Sequence, residues 1–300
     1  MKSISKTIVF FGTEDFSLAA LQELINAQYN IGAVVTKPDT PRGRGQKLTS
    51  PAVKVLAEQN NIPVLQPSTL DDDFIEQLSS LLSQEPDSPV GVLSSYGKIV
   101  PTKVIDLFSP GIINIHPSLL PLYRGPSPIE SAILNGDDKT GVSIMKLAAK
   151  MDAGPLYAQI EVPLNGTETK PELYNSLAQI GSSLLIEQLP SIIDGNLSPE
   201  SQDDSRATYC PLLRKSDGVL SPSTQTATEA ERRVRAYLGY PKTRLPFNGQ
   251  DIIITKAHTN NKPKTPLDFK FRDGEFLVID ELIAPSGRTM SSDAYLRGNG

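Results

Sequence analysis

Gly111-Ile112-Ile113-Asn114-Ile115-His116-Pro117-Ser118-Leu119-Leu120-Pro121, with Tyr123-Arg124-Gly125 close behind, decides the fold of this 300-residue chain. The apolar run Gly111–Ile113 reads as the start of a buried strand. Pro117 stops it, because proline has no N–H to give a ladder. The strand therefore ends on an amide, Asn114, and an imidazole, His116, one of only two histidines in the chain. Period-two alternation puts both side chains on one face. In an open α/β sheet the carboxyl ends of strands border the ligand crevice. An amide there can donate to a developing oxyanion, and an imidazole can handle a proton near neutral pH. A lone buried histidine is more often structural. Its place at a strand end, two residues after an asparagine, favours chemistry.

Outward from this strand, the first 190 residues alternate strand and helix signals. Strands are expected at Thr7–Gly12, Ile31–Thr36, Val64–Gln66, Val90–Leu93, Ile112–Ile115, Gly141–Leu147 and Leu156–Val162. Helices are expected at Phe16–Ala27, Val53–Gln59, Asp71–Leu82, Val104–Phe108, Pro128–Leu134 and Pro171–Ile193. That order predicts an α/β fold: a Rossmann-like, mainly parallel sheet with helices on both faces. Residues 195–206 are polar, contain proline and lack periodicity, so they read as a linker between a catalytic domain at 1–194 and a second domain at 207–300. Beyond it, a helix at Thr226–Tyr237 precedes short strands at Asp251–Thr255, Phe269–Phe271, Glu275–Ile283 and Gly287–Met290, with turns at Asn248-Gly249 and Asp273-Gly274. This predicts a smaller C-terminal β-barrel of the oligonucleotide-binding (OB-like) type.

Composition narrows the classes. The chain is 38% hydrophobic and 21% charged, as ordinary globular proteins are. No apolar run reaches the length of a membrane span, and the start lacks a signal-peptide core, so no membrane role is expected. A single cysteine, Cys210, excludes an internal disulfide framework and a cysteine-rich zinc site, and it suits the cytoplasm. Two histidines far apart offer no local metal cluster, so no metal is expected. The net charge of −5 is uneven: residues 1–200 hold 14 Lys/Arg against 22 Asp/Glu, and residues 201–300 hold 15 against 12. The late cations, among them Arg232, Arg233 and Lys242, read either as a solvated surface or as contacts to a polyanion.

Two further segments carry possible chemistry. Met151-Asp152-Ala153-Gly154-Pro155 joins two strand candidates. Alone it is a turn, but beside His116 its carboxylate suits orientation of the imidazole. Asn, His and Asp together fit the transfer of a small carbonyl group to an amine, which needs an oxyanion donor and a proton path. Ser118 follows the strand without a nucleophile elbow around it. Residues 36–51 form a long loop with Lys37, Arg42, Arg44 and Lys47. Such loops are uncommon unless functional, and these cations suit phosphate contact; the alternative is a mobile solvated loop. His258 has no such company and reads as surface. Phe11-Gly12-Thr13 has one glycine, too few for a dinucleotide fingerprint.

These segments resemble the 10-formyltetrahydrofolate-dependent formyltransferase family, nearly end to end. The likeness runs through Phe11–Thr13, Lys37–Leu48, Ser95–Pro101, Asn114–Gly125, Gly141–Met145, Met151–Pro155, Ala207–Tyr209 and Leu296–Gly298. The basic loop and C-terminal domain point to the branch acting on charged initiator tRNA. Departures are Leu122 where a basic residue is usual, Leu238–Pro241 in place of a tryptophan-containing turn, and no tryptophan at all. The resemblance implies that Asn114 stabilises the formyl oxyanion, that His116 moves the proton, and that Asp152 orients His116. It implies that 10-formyltetrahydrofolate, the co-substrate, lies against Leu93, Ser94, Ser95, Tyr96, Gly97, Ser118, Leu119, Leu120, Pro121, Met151 and Gly154. It implies tRNA contacts from Lys37, Arg42, Arg44, Lys47, Arg232, Arg233 and Lys242. A cytoplasmic monomer is expected. The competing readings are a formyltransferase acting on an amino sugar nucleotide, a hydrolase releasing formate, a nicotinamide-dependent oxidoreductase and a non-catalytic RNA-binding module. The absent glycine fingerprint argues against the oxidoreductase, and the scarcity of aromatic platforms against the RNA module.

Overall fold

The computed structural model describes residues 6–42, 45–83, 88–247 and 249–299. Two compact units emerge: one gathers residues 1–126, 141–162 and 175–209, the other 127–140, 163–174 and 210–300. In chain order the elements are β1 (Ile8–Gly12), α1 (Phe16–Asn26), β2 (Ile31–Val35), β3 (Thr40–Arg42), β4 (Lys47–Thr49), α2 (Ala52–Gln59), β5 (Val64–Leu65), α3 (Asp72–Leu82), β6 (Val90–Ser94), α4 (Thr102–Ile105), β7 (Ile112–His116), α5 (Pro128–Asn135), β8 (Lys139–Lys146), β9 (Leu156–Pro163) and α6 (Lys170–Ile193). There follow α7 (Ala227–Ala236), β10 (Thr243–Phe247), β11 (Gln250–Asn260), β12 (Phe269–Lys270), β13 (Phe276–Ile283), β14 (Thr289–Ser291) and α8 (Ser292–Asn299).

Among the described residues, seven strands form one sheet in the order β5-β2-β1-β6-β7-β8-β9. The first five pair in parallel, and β8 turns antiparallel against β7. Every residue of β1, β6 and β7 is buried, as expected of strands covered on both faces. On one face, Ile112 packs in a cluster with Phe74 and Leu78 of α3 and Val104 of α4. On the other, Gly181 of α6 approaches Ile115 so closely that a Cβ would lie 2.8 Å from its Cγ2. Asn114 and His116 share the parity of Ile112 and leave the sheet on that first face. Local signals set the helices: Asp71 caps α3 by accepting from the Phe74 N–H, with Asp72 and Asp73 in its first turn.

The second unit holds the smaller antiparallel domain, with β10-β11-β13-β12 in order and β14 on β13. Its core joins Ala230 and Val234 of α7 to Leu245, Ile252, Ile254, Leu277 and Ile279. Thr226 and Glu229 close α7 with a reciprocal capping box.

Three expectations differ from the structure. The basic loop is a short hairpin, with Thr40 opposite Thr49 and Arg42 opposite Lys47. The polar stretch 195–206, read as a linker, is held to the first unit: Leu156 and Glu200 exchange backbone bonds of 2.7 and 2.8 Å. Its polar side chains serve internal bonds, which in sequence look the same as solvation. Strand β10 and helix α8 lay outside the expected elements, because Pro246 breaks the pattern of the first and Gly298 that of the second.

Candidate active site

Strand β7 delivers Asn114 and His116, each 5% exposed, to its carboxyl end. The register sets Asn114 beside Leu93 of β6 and His116 beside Ser143 of β8. Past Pro117 the chain turns back on itself. Ser118 donates from its hydroxyl to the Leu122 carbonyl at 2.6 Å. The turn is fastened to the sheet because the Ser143 hydroxyl donates to the Ser118 carbonyl and accepts from the Leu120 N–H. Gln159 of β9 adds bonds to the Leu120 carbonyl and to Ser143.

This turn brings Tyr123 and Gly125 to the imidazole and the carboxylate. His116 Nε2 lies 3.0 Å from the Tyr123 carbonyl oxygen. A carbonyl only accepts, so Nε2 carries a proton in this pairing. Nδ1 is then the ring atom that can take or give a proton. It faces Asp152 Oδ2 at 3.8 Å, too far for a direct hydrogen bond and close enough to stabilise charge on the ring. The same carboxylate oxygen accepts the Gly125 N–H at 2.8 Å. Asp152 itself sits at φ +47°, a left-handed conformation that a non-glycine residue adopts only where its surroundings hold it.

What holds it was not legible in the sequence. Gln202 donates to the Asp152 carbonyl at 2.9 Å and the Gly154 carbonyl at 2.6 Å. Its own oxygen accepts from Arg124 Nε and Nη2 at 3.1 and 2.7 Å. Arg124 is fully buried and also meets Asp204 at 2.7 Å. Thr208 completes the frame: its hydroxyl accepts the Tyr123 N–H, and its carbonyl accepts the Arg124 N–H. A glycine is required at 154, where a Cβ would sit 1.8 Å from the Lys146 carbonyl oxygen.

The expected folate-facing residues divide by orientation. Met151 is 54% exposed and Leu119 and Pro121 are half-buried. Leu93, Ser94, Tyr96, Ser118 and Leu120 are buried. Tyr96 turns its ring into the core against Phe11, and burial pushes its hydroxyl up to about 12. From Ser94 and Tyr96, only backbone can meet a ligand. The Ser95 carbonyl is already taken by the Thr13 and Glu14 N–H groups. Gly97, at φ +70°, lies directly under the Lys37 ammonium.

The expected tRNA-contacting cations also divide. Lys37 stands at the end of β2, 3.9 Å from Glu14, rather than in the hairpin. Arg42 and Lys47 occupy facing positions in β3 and β4; Lys47 is exposed. Arg44 lies outside the described residues. Two cations of the second unit are internally engaged: Arg232 donates to the Asn135 carbonyl at the end of α5, and Arg233 to the Asp217 carbonyl while stacking 5.9 Å from the Tyr237 ring centre. Lys242 is exposed. His258 is partly exposed and pairs with Asp280 at 2.8 Å. Among the described residues no cluster of three or more His, Cys, Asp or Glu could hold a metal, and no helix is long and apolar enough to cross a membrane.

Comparison with known proteins gives a consistent result. The formyl transferase family matches residues 5–189. A methionyl-tRNA formyltransferase of Chloroflexus aurantiacus is 40% identical over 306 aligned positions, covering 97% of this chain and 96% of the relative. One from a Geobacillus species is 37% identical over 98% of this chain and 94% of its own. Among solved structures, an N-formyltransferase from Helicobacter canadensis, in complex with folinic acid and dTDP-3-aminofucose, superposes with a TM-score of 0.66 at 19% identity, over 92% of this chain and 99% of that one. HypX from Aquifex aeolicus, in complex with tetrahydrofolic acid, gives 0.65 at 14% identity over 97% of this chain, which spans 46% of that longer one. At such low identities the likeness is one of fold. With a family match over more than half its length and relatives of about 40% identity from end to end, the chain belongs to the formyl transferase family.

Proposed function

We propose that the protein transfers the formyl group of 10-formyltetrahydrofolate to the α-amine of methionyl initiator tRNA. The observation that carries this reading is identity to methionyl-tRNA formyltransferases along almost the whole chain, the second unit included. The nitrogen lone pair of the methionyl residue attacks the formyl carbon, and the carbonyl electrons move onto oxygen. Asn114 donates to that oxyanion, and the His116 ring stabilises it once Nδ1 has taken the proton of the attacking amine. The attacking nitrogen loses a proton through His116 Nδ1 while Asp152 holds the charged ring. The proton passes to N10 of the folate as the C–N10 bond breaks, leaving tetrahydrofolate and formylmethionyl-tRNA.

The folate lies across the carboxyl ends of β6 and β7, against backbone from Leu93 to Gly97 and the loop Met151–Gly154. The cations at Lys37, Arg42, Arg44, Lys47 and Lys242 meet tRNA phosphates, while Arg232 and Arg233 brace the second unit from within. The setting is cytoplasmic and the working form a monomer.

Labelled formyl-folate mixed with charged initiator tRNA tests the reading, with an amino sugar nucleotide as the competing acceptor. Label is expected on the tRNA; label on the sugar nucleotide alone would refute it. His116→Ala and Asp152→Asn should each lower kcat by about 10²–10⁴-fold with little loss of fold. Near wild-type turnover in either folded variant contradicts the assignment.

A further inference from the structure

Gln202 uses all the hydrogen-bonding capacity of its amide. Its nitrogen grips the carbonyls of Asp152 and Gly154, and its oxygen takes two N–H groups of buried Arg124. The residues on either side of Arg124 touch the reacting pair. Tyr123 supplies the carbonyl that meets His116 Nε2, and Gly125 supplies the N–H that meets the Asp152 carboxylate. One side chain therefore ties the loop that presents the carboxylate to the segment that orients the imidazole. The tie needs donors on one side and acceptors on the other, so an amide fits where a carboxylate or an ammonium does not. Asp152 is held at positive φ, and its carboxylate stands 3.8 Å from Nδ1. At that separation a shift of well under 1 Å decides whether the two groups can share a proton.

We infer that Gln202 is a positioning residue for the transfer reaction, setting the placement of Asp152 against His116 by cross-linking the Met151–Gly154 loop to Arg124. The inference rests on the proposed role of Asp152 in formyl transfer. It places part of the reaction geometry in a stretch whose composition looks like a tether.

The test is a double-mutant cycle on the full chain. Gln202→Ala should lower kcat ten- to hundredfold, with KM for formyl-folate and for charged tRNA within about twofold. In an Asp152→Asn background the same substitution should cost less than threefold, because there is no carboxylate left to place. Gln202→Glu keeps the size and the Arg124 contacts but sets an acceptor against two carbonyls, and it should match the alanine variant. The His116 imidazole resonances of both Gln202 variants should move toward those of Asp152→Asn. That readout needs no substrate, so it stands even if the wild-type protein proves inactive on tRNA, an outcome that would sink the function reading alone. Equal losses in both backgrounds, a loss carried by KM, full activity in Gln202→Glu, or unmoved His116 resonances would overturn the inference.

Discussion

Asp152 carries two burdens that pull in different directions. Its carboxylate must reach a buried imidazole, and its backbone must turn with φ +47° to let it. Gly154, two residues on, makes the turn feasible by passing within a methyl's width of Lys146. Gly154→Ala is expected to cost about 1–3 kcal/mol through overpacking against backbone that cannot yield, read from the urea midpoint. It should also depress kcat, because any relief of the clash moves the loop that bears Asp152. Wild-type stability in this variant would show that the loop adapts. At this scale the placement of the expected residues was legible: a histidine and an asparagine sit, buried, at the end of a strand cut off by proline. Gln202, and the role of Arg124 within its motif, were not, since their meaning lies in whom they bond, and polar residues in sequence carry no record of their partners.

Elements differ in how openly they declare themselves. β1 and β6 read clearly because burial on both faces makes them nearly continuous apolar runs, and β7 by its apolar start and the proline that stops it. The β3–β4 hairpin did not, being short, proline-containing and cationic. Its base is anchored by Asp39, whose carboxylate accepts from Gln66, Lys54 and Ser50. The bonds from Gln66 and then Lys54 hold that carboxyl below its ordinary value of 3.8. A depressed folded-state value stabilises the charged form, so the anchor is complete above the unfolded value and is lost as pH falls through the folded one. Amide exchange at Lys47–Thr49 should therefore be equally protected at pH 7 and pH 5 and weaken below about pH 4. Asp39→Asn should show the weakened pattern already at pH 7. Protection independent of pH down to 3 would remove Asp39 from this role.

Across the whole molecule, charge separates the two substrates. A net −5 chain that engages an RNA must do so through local cation clusters, and each phosphate contact releases counterions. KM for charged tRNA should rise steeply with salt while KM for formyl-folate changes little. Arg44→Ala should raise the first more than the second and reduce the salt slope by about 1. Equal effects on both substrates would argue against a phosphate contact at that position. The two-unit organisation was legible as an α/β half followed by an antiparallel half. The interleaving of their segments was not, since residues 127–140 and 163–174 cluster with the later half through contacts that no local pattern encodes.

The stitching of residues 200–209 onto the first unit bears on where the enzyme can be cut. The match to the formyl transferase family ends at residue 189, and helix α6 ends at Ile193, so a dissection guided by either would end there. Such a fragment would retain Asn114, His116 and Asp152 but lose the amide under the carboxylate loop and the threonine behind Tyr123. On the inferred role of Gln202, the smallest fragment expected to keep the transfer activity runs on to Thr208, and a chain cut at 193 is expected to bind its substrates without turning them over.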